Sequence, residues 1–149
     1  QERGDLPKYW SLDHYRCVIL KREGEKAVTE ASVKLMVNGQ SYHEVAEGDG
    51  PVNALDAALR KCLKATYPQL AWLHLRDFKV RVVNPNAESA AKVRVVAEFA
   101  SSAQQDENHA SVQSFATIGV DENIVDASWR ALVDAVKYYL LESQAGGAK

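Results

Sequence analysis

The residues that could carry out chemistry are few and scattered along the chain. The four histidines, His14, His43, His74 and His109, show neither HxxxH nor HxH spacing, which favours surface or strand-face positions over metal binding or catalysis. Nucleophile-elbow, phosphate-loop and dinucleotide-fingerprint motifs are absent. We therefore expect no metal site, no cofactor and no catalytic centre in this chain.

The two cysteines, Cys17 and Cys62, lie 45 positions apart within apolar patterns and form no CxxC pair. A single disulfide and two separate thiols both fit this arrangement. Two buried thiols are the favoured interpretation, because nothing in the sequence indicates an oxidising compartment.

One glycine-rich turn has the composition of a ligand site. Gly48-Asp49-Gly50-Pro51 precedes a predicted helix, and glycines allow backbone NH groups to approach a ligand closely. A helix start carries about half a positive charge and unpaired NH donors, which suits a carboxylate. Small residues follow on the first turn of both predicted helices, Ala54 and Ala127, and leave room for an aliphatic side chain.

This combination fits a free amino acid whose ammonium group lies near an acid such as Asp49, Asp77 or Asp121. From the residues alone, however, a plain strand-to-helix turn remains the favoured interpretation.

Composition and charge limit the class of protein. The chain has 149 residues, 46% of them hydrophobic and 26% charged, with a formal net charge of −2, as in an ordinary globular domain. No basic cluster suits nucleic acid, and no apolar run approaches the roughly 20 residues that span a membrane. The N-terminal residues lack a signal-peptide pattern, so we expect a cytoplasmic location.

The strongest pattern is an internal repeat of β-prone segments. Three pairs of segments correspond, at offsets of 63, 60 and 73 positions: 15–20 with 78–83, 33–37 with 93–97, and 42–45 with 115–118. The changing offset implies that the first connection is three residues shorter, and the second thirteen residues longer, in the second half.

Each half is predicted to contain three strands and a helix. The predicted elements are strands at 12–22, 29–38, 40–47, 76–84, 91–100 and 111–119, and helices at 51–66 and 122–142. Asn38-Gly39 predicts a two-residue hairpin, and Asp121 is the predicted N-cap of the second helix. The fold class is α+β, with two βββα units packed about a pseudo-twofold axis and a dimer expected if an apolar face stays uncovered.

The predicted domain covers residues 12–142, with repeats at about 12–67 and 76–142. Residues 1–11 are assigned to a linker or a remnant outside the fold, and residues 143–149 to a flexible tail.

Three longer motifs resemble the regulatory domain of the α-isopropylmalate and citramalate synthases. Residues 48–55 resemble that family's G-(N/D)-G-P-V-(N/D)-A-L signature, and residues 75–82 are similar to its L-x-D-Y-K-V-R-(V/I) segment. Residues 117–134 are similar to T-V-G-V-S-E-N-I-I-E-A-S-W-x-A-L-x-D. The resemblance covers about residues 12–142.

The resemblance implies a homodimer that binds an end-product amino acid near the dimer interface. It places catalysis in a separate TIM-barrel domain of the same full-length chain, which needs about 250 residues, so this chain alone is not expected to be an enzyme. The parent protein would condense acetyl-CoA with a 2-oxo acid, pyruvate or 2-oxoisovalerate. The sequence at residues 52–56 and 67–70 is more similar to the citramalate branch of the family. This resemblance makes isoleucine the first expected feedback inhibitor and leucine the second.

By resemblance, ten positions are expected to line the effector pocket: Gly48, Asp49, Gly50, Pro51, Ala54, Leu75, Asp77, Phe78, Val120 and Asp121. The sequence departs from the family pattern at Phe78, where the family has Tyr, and at Asp121, where it has Ser. These departures leave the identity of the effector open. The alternative function is a purely structural dimerisation module that binds no effector.

Overall fold

The computed structural model describes residues 9–83, 91–102 and 112–147, and it shows two successive units of three antiparallel strands followed by a helix. The first unit comprises β1 (Ser11–Leu20), β2 (Val28–Val37), β3 (Gln40–Gly48) and α1 (Pro51–Leu63). A 3-10 turn, Pro68–Trp72, leads to β4 (Leu73–Val83), β5 (Lys92–Ser102), β6 (Val112–Asp121) and α2 (Ile124–Gly147). Sheet A is β1-β2-β3 and sheet B is β4-β5-β6. The predicted α+β class and the order of elements are confirmed.

The hairpin between β2 and β3 has the predicted two-residue turn. Asn38 has φ 52° and Gly39 has φ 77°, and both lie in the left-handed region that a type I′ turn requires. Asparagine and glycine are the residues that adopt this conformation most easily, so the turn sets the register of β2 against β3.

The ends of the helices differ from the prediction. α1 ends at Leu63 rather than at residue 66, because the backbone NH groups of Thr66 and Tyr67 turn back to the Leu63 carbonyl. α2 begins at Ile124, and its N-cap is Asn123 rather than the predicted Asp121. The Asn123 side chain accepts hydrogen bonds from the NH groups of Val125 (2.7 Å) and Asp126 (3.3 Å), as a capping side chain does.

Strand register corrects the alignment of the repeat. Cys17, Ala31 and Ala46 lie side by side in sheet A, and Val80, Val95 and Gly119 lie side by side in sheet B. Corresponding residues are therefore 63, 64 and 73 positions apart, and the predicted offset of 60 between β2 and β5 is wrong. The first connection is one residue longer in the second half, and the second is nine residues longer.

Both edge strands carry a bulge at the same place in the repeat. The register shifts between Leu12 and His14 in β1, and between Leu75 and Asp77 in β4. The two extra residues, Asp13 and Arg76, are again 63 positions apart. Because a bulge is a local insertion with a specific geometry, its recurrence supports the predicted duplication.

The core lies between the helices and the sheets. α1 packs across β2 and β3, α2 packs across β5 and β6, and the two helices contact each other. The largest side chains buried there are aromatic or aliphatic and come from both units: Phe99, Leu35, Leu55, Leu59, Leu63, Leu73, Leu132 and Leu140. The same face of the edge strands is less well covered, since Ile19 on β1 and Val82 on β4 remain 70% and 65% exposed.

The described structure extends beyond both ends of the predicted domain. Tyr9 and Trp10, which the sequence assigned to a leading linker, are buried; the Tyr67 hydroxyl donates to the Tyr9 carbonyl at 3.1 Å, and the Lys137 ammonium lies 5.4 Å from the Trp10 ring centre. α2 continues to Gly147, into the predicted tail. Residues 1–8, 148–149 and the histidine at position 109 lie outside the described residues.

Both cysteines are free thiols. Cys62 is buried as predicted, whereas Cys17 is only half-buried on the poorly covered edge strand. In the part of the chain that the structure describes, no helix is long and apolar enough to cross a membrane.

Candidate functional site

The start of α1 is an uncapped helix terminus held close to a strand. Gly50 is the N-cap in an extended conformation (φ −158°, ψ −176°), and no side chain caps the helix. A Cβ on Gly48 would lie 2.7 Å from the Ala54 nitrogen, so the approach of β3 to α1 requires glycine there. The first-turn NH groups of α1 therefore remain available to an anionic ligand.

The corresponding start of α2 is already occupied by side chains. Asn123 caps its first turn, and the Asp121 carboxylate accepts hydrogen bonds from the Glu122 NH (2.8 Å) and from Arg130 Nε (3.2 Å). Desolvation opposes ionisation of Asp121, but the hydrogen bonds from Arg130 and the backbone hold the pKa of its carboxyl below the usual value. A second carboxylate at this end would meet a resident negative charge, so the two junctions are not chemically equivalent.

A contact between the two units lies beside the α2 start. The Tyr15 hydroxyl on β1 donates a hydrogen bond to the Asp126 carboxylate, and the Tyr15 ring stacks on Trp129 with 4.6 Å between ring centres. Burial, reinforced by the bond to Asp126, raises the pKa of Tyr15 above its ordinary value. Tyr15 is not among the ten site residues predicted from the sequence, although the offset of 63 relates it directly to Phe78, which is one of them.

A cavity of about 460 Å³ lies between β6 and α2 and includes Val120. It is lined by apolar and charged side chains: Ile118, Gly119, Val120, Trp129, Arg130, Val133 and Asp134. Desolvation raises the pKa of Asp134 above its ordinary value. Gly119 is essential to this packing, because a Cβ there would lie 2.0 Å from the Ala127 carbonyl oxygen.

A second cavity, of about 680 Å³, lies at the bulge of β4 and includes Asp77. Its lining combines charged and aromatic residues: Arg76, Asp77, Glu98, Phe99, Ser114, Phe115 and Ala116. The Asp77 carboxylate accepts a hydrogen bond from the Phe78 NH at 2.9 Å, which fixes the side chain at the bulge.

The ten predicted site residues thus fall into three groups along the fold. Gly48, Asp49, Gly50, Pro51 and Ala54 lie at the β3–α1 junction; Leu75, Asp77 and Phe78 lie around the β4 bulge; Val120 and Asp121 lie at the end of β6. Neither of the two cavities contains residues from more than one group. No group of three or more His, Cys, Asp or Glu side chains suited to a metal ion lies within 9–83, 91–102 and 112–147.

Comparison with known proteins assigns a family to nearly the whole chain. The model of the LeuA allosteric (dimerisation) domain matches residues 2–140. The (R)-citramalate synthase of Aquifex aeolicus is 40% identical over 145 residues, which are 97% of this chain and 26% of that protein. The (R)-citramalate synthase of Geobacter sulfurreducens is 41% identical, with 95% and 25% covered. The 2-isopropylmalate synthase of Aquifex aeolicus is 30% identical, with 83% and 22% covered. The chain therefore spans about a quarter of the length of these relatives.

Proposed function

Because the chain belongs to the family of LeuA allosteric (dimerisation) domains, we propose that it is the effector-binding regulatory domain of a citramalate-type synthase. The observation that carries the proposal is the match over residues 2–140 of a chain that spans only about a quarter of its synthase relatives. Identity of 40–41% to the two citramalate synthases, against 30% to the 2-isopropylmalate synthase, favours the citramalate branch.

The remaining three quarters of such a parent protein would hold the catalytic domain, expected to be a TIM barrel that condenses acetyl-CoA with pyruvate. This domain would then act by feedback: an end-product amino acid binds here and lowers the activity of the distant catalytic site. To the extent that the effector lowers the affinity of the barrel for acetyl-CoA or pyruvate, these substrates would lower the affinity for the effector by the same factor, whereas an effect on kcat alone carries no such reciprocity.

The start of α1 is the best candidate for the effector carboxylate. Its NH groups carry no side-chain cap, whereas the α2 start holds Asn123 and Asp121. Asp49, exposed beside this terminus, supplies a negative charge for the effector ammonium group. Isoleucine is the first effector to test, with leucine second.

The surface that suits a second copy lies on the edge strands. On their helix-facing side, β1 carries Leu12, Cys17 and Ile19, and β4 carries Val80 and Val82; these residues are named the edge stripes. Leu12 and Val80 are 44% and 43% exposed, and Ile19 and Val82 more so. Ile19 corresponds to Val82, and Cys17 to Val80, in the repeat. Covering two matching apolar stripes with a second copy removes them from water at about 25 cal/mol per Å².

Isothermal titration calorimetry and thermal unfolding with isoleucine, leucine and valine test the proposal. At an effector concentration about 100 times Kd, binding stabilises the native state by about 2.7 kcal/mol, which moves Tm by several degrees. We expect isoleucine to give the largest shift. If none of the three amino acids gives heat or a Tm shift at millimolar concentration, the chain is a purely structural dimerisation module.

Two variants at one position locate the carboxylate. Gly50→Ser places a hydroxyl acceptor where the first-turn NH groups of α1 are free, so it should weaken effector binding while stabilising the unliganded domain by a few tenths of a kcal/mol. Gly50→Ala adds a methyl group into open space and brings no acceptor. It therefore tests whether added bulk alone keeps the effector from the backbone, whereas Gly50→Ser also tests competition for the NH groups. Unchanged affinity in both variants would move the carboxylate away from α1.

A further inference from the structure

The side of each sheet that faces away from the helices carries an ordered pattern of charges. Ala31, Val33 and Leu35 of β2 are buried against the helices, so the alternate residues Glu30, Ser32 and Lys34 point outward. Outer face A is defined by Val18, Glu30, Glu47, Arg16, Ser32, Val45, His14, Lys34, His43 and Met36. Outer face B is defined by Arg81, Arg94, Val120, Lys79, Val96, Ile118, Asp77, Glu98, Ala116 and Ala100.

Each outer face opposes like charges across neighbouring strands. Glu30 lies directly beside Glu47 on face A, and Arg81 lies directly beside Arg94 on face B. Like charges placed directly opposite each other destabilise a sheet. Among the described residues, no ion pair neutralises any of these four side chains. Both faces would therefore gain from contact with a surface of the opposite sign.

The two faces are of opposite sign at corresponding positions. Glu30 and Arg94 occupy the same place in the repeat, 64 positions apart, and so do Lys34 and Glu98. The row that crosses Lys34 also contains His14 and His43, and the bulge residue Asp13 pairs with His14 at 2.8 Å. The row that crosses Glu98 contains Asp77 and Ala116, and the bulge residue Arg76 lines the same cavity as these residues. On the central strands, the duplicated frame therefore carries a negative and then a positive residue on face A, Glu30 and Lys34, and a positive and then a negative residue on face B, Arg94 and Glu98.

One relative orientation brings all the opposite charges together. If face B is turned over onto face A about an axis parallel to the strands, β1 lies over β6, β2 over β5 and β3 over β4. This orientation brings together three pairs of opposite charge: Glu30 with Arg94, Glu47 with Arg81, and Lys34 with Glu98. It also brings together His43 and Asp77, which can form a hydrogen bond. Reversing the strand direction would instead bring Glu30 to Glu98 and Lys34 to Arg94, so the charges select the first orientation.

Apolar side chains on the same faces match in that orientation. Val18 of face A meets Val120 of face B, and the two are 45% and 43% exposed. Met36, 46% exposed, lies over Ala100, which is only 4% exposed, so this pair adds little apolar area. In the row between the charged rows, Arg16 and Lys79 lie at opposite edges and meet Ile118 and Val45, so no like charges come into contact. We propose that outer face A of one copy packs on outer face B of another copy.

The size of the faces sets the strength of this contact. Three strands about 4.8 Å apart are about 14 Å wide, and ten residues are about 34 Å long, so each copy buries about 500 Å². A total of about 1,000 Å² lies at the low end for specific interfaces, so the association is weak and depends on charge. The contact joins different surfaces, leaving a free face A and a free face B at the ends, and so builds assemblies larger than two copies.

Sedimentation velocity at about 0.1 M and about 1 M salt tests the contact, because the screening length falls from about 10 Å to about 3 Å. We expect the wild type to form species larger than the dimer at low salt, increasing with protein concentration and lost at high salt. Arg94→Glu should weaken this association by about tenfold or more. Glu30→Arg combined with Arg94→Glu should restore it.

Lys64→Glu is the matched control, since it makes the same change in net charge at an exposed position after α1, away from both outer faces. No species larger than the dimer at low salt would overturn the proposal, as would an equal effect of Lys64→Glu or failure of the double variant to recover. The outer faces are separate from the edge stripes, so Arg94→Glu leaves the proposed dimer unchanged. Face B includes Asp77 and Val120, two of the ten predicted effector residues, so effector binding is tested with Gly50→Ser, which lies on neither outer face, and each proposal can fail alone.

Discussion

The hydroxyl of Tyr15, on the first strand of one unit, donates its hydrogen bond to Asp126, on the helix of the other unit. The contact is part-buried and involves a charged acceptor, so Tyr15→Phe should lower the free energy of unfolding by about 1.5–3 kcal/mol, measured by urea denaturation. Tyr138→Phe is the matched control: that side chain is 47% exposed, and its loss of a hydroxyl should change stability by less than about 0.5 kcal/mol. Equal effects of the two substitutions would show that the bond contributes nothing.

The same bond predicts a dependence of stability on alkaline pH. The pKa of Tyr15 is raised in the folded protein by burial and by Asp126, so the protonated hydroxyl is favoured by folding. Its contribution is complete below the unfolded value of about 10 and is lost as the pH rises from there toward the folded value. We expect the wild type to lose stability above about pH 10 more steeply than Tyr15→Phe, measured by denaturation at a series of pH values. Parallel curves would contradict this.

Two glycines should respond to the same substitution with losses of very different size. Gly119→Ala places a methyl group 2.0 Å from the Ala127 carbonyl, which neither backbone can accommodate without moving, so a loss of about 3 kcal/mol or more is expected. Gly50→Ala meets no atom within 4 Å and has an extended backbone, but alanine is a poorer N-cap than glycine, so a loss of only about 1 kcal/mol or less is expected. Thermal and chemical unfolding of the two variants measure the difference. A tolerated Gly119→Ala would mean that α2 does not pack on β6 as described.

The edge stripes predict where charge breaks the dimer. Ile19→Lys and Val82→Lys each place an ammonium group in an apolar contact, and each should weaken the dimer by about a hundredfold or more. Met36→Lys is the control on outer face A, where the side chain is similarly accessible at 46%. Sedimentation equilibrium at about 1 M salt isolates the dimer from the charge-dependent contact. A dimer unaffected by both stripe variants would place the interface elsewhere.

The thiols should react in a defined order. Burial raises the pKa of Cys62 to about 11 and also raises that of Cys17, so neither forms much thiolate near neutral pH. In the native protein, Cys17 should react with a disulfide reagent more slowly than free cysteine, and Cys62 only on unfolding. In the Cys17→Ser variant Cys62 is the remaining thiol, so any labelling of that variant reports on Cys62. Rapid native labelling in that variant would show that the core around Cys62 opens.

The turns and helix starts that depend only on neighbouring residues were predicted correctly from the sequence. Asn38-Gly39 specifies its turn because few other residues adopt positive φ, and Pro51 marks the first turn of α1 because no NH is needed there. The offset between β2 and β5 was predicted four residues short for a physical reason. Strand patterns repeat every two residues, so an even slip keeps every side chain on the same face, and only pairing with neighbouring strands distinguishes the registers.

The candidate site was predicted less completely because its parts are far apart in sequence. Asp121 and Asn123 are both good capping residues two positions apart, and the choice between them depends on Arg130, which engages the first. Tyr15 reaches Asp126 across 111 positions, a contact that no local pattern encodes. That all ten selected residues belong to one effector pocket remains a prediction.

The shared bulge has a consequence for the origin of the molecule. An extra residue at the same place in both edge strands is most simply inherited, so the single ancestral unit already carried it before the gene was duplicated. In that ancestor, two identical chains must have supplied what the two halves supply now. Fusion converted their encounter from a second-order event into a first-order one, so that pairing of the halves no longer depends on how much protein the cell makes.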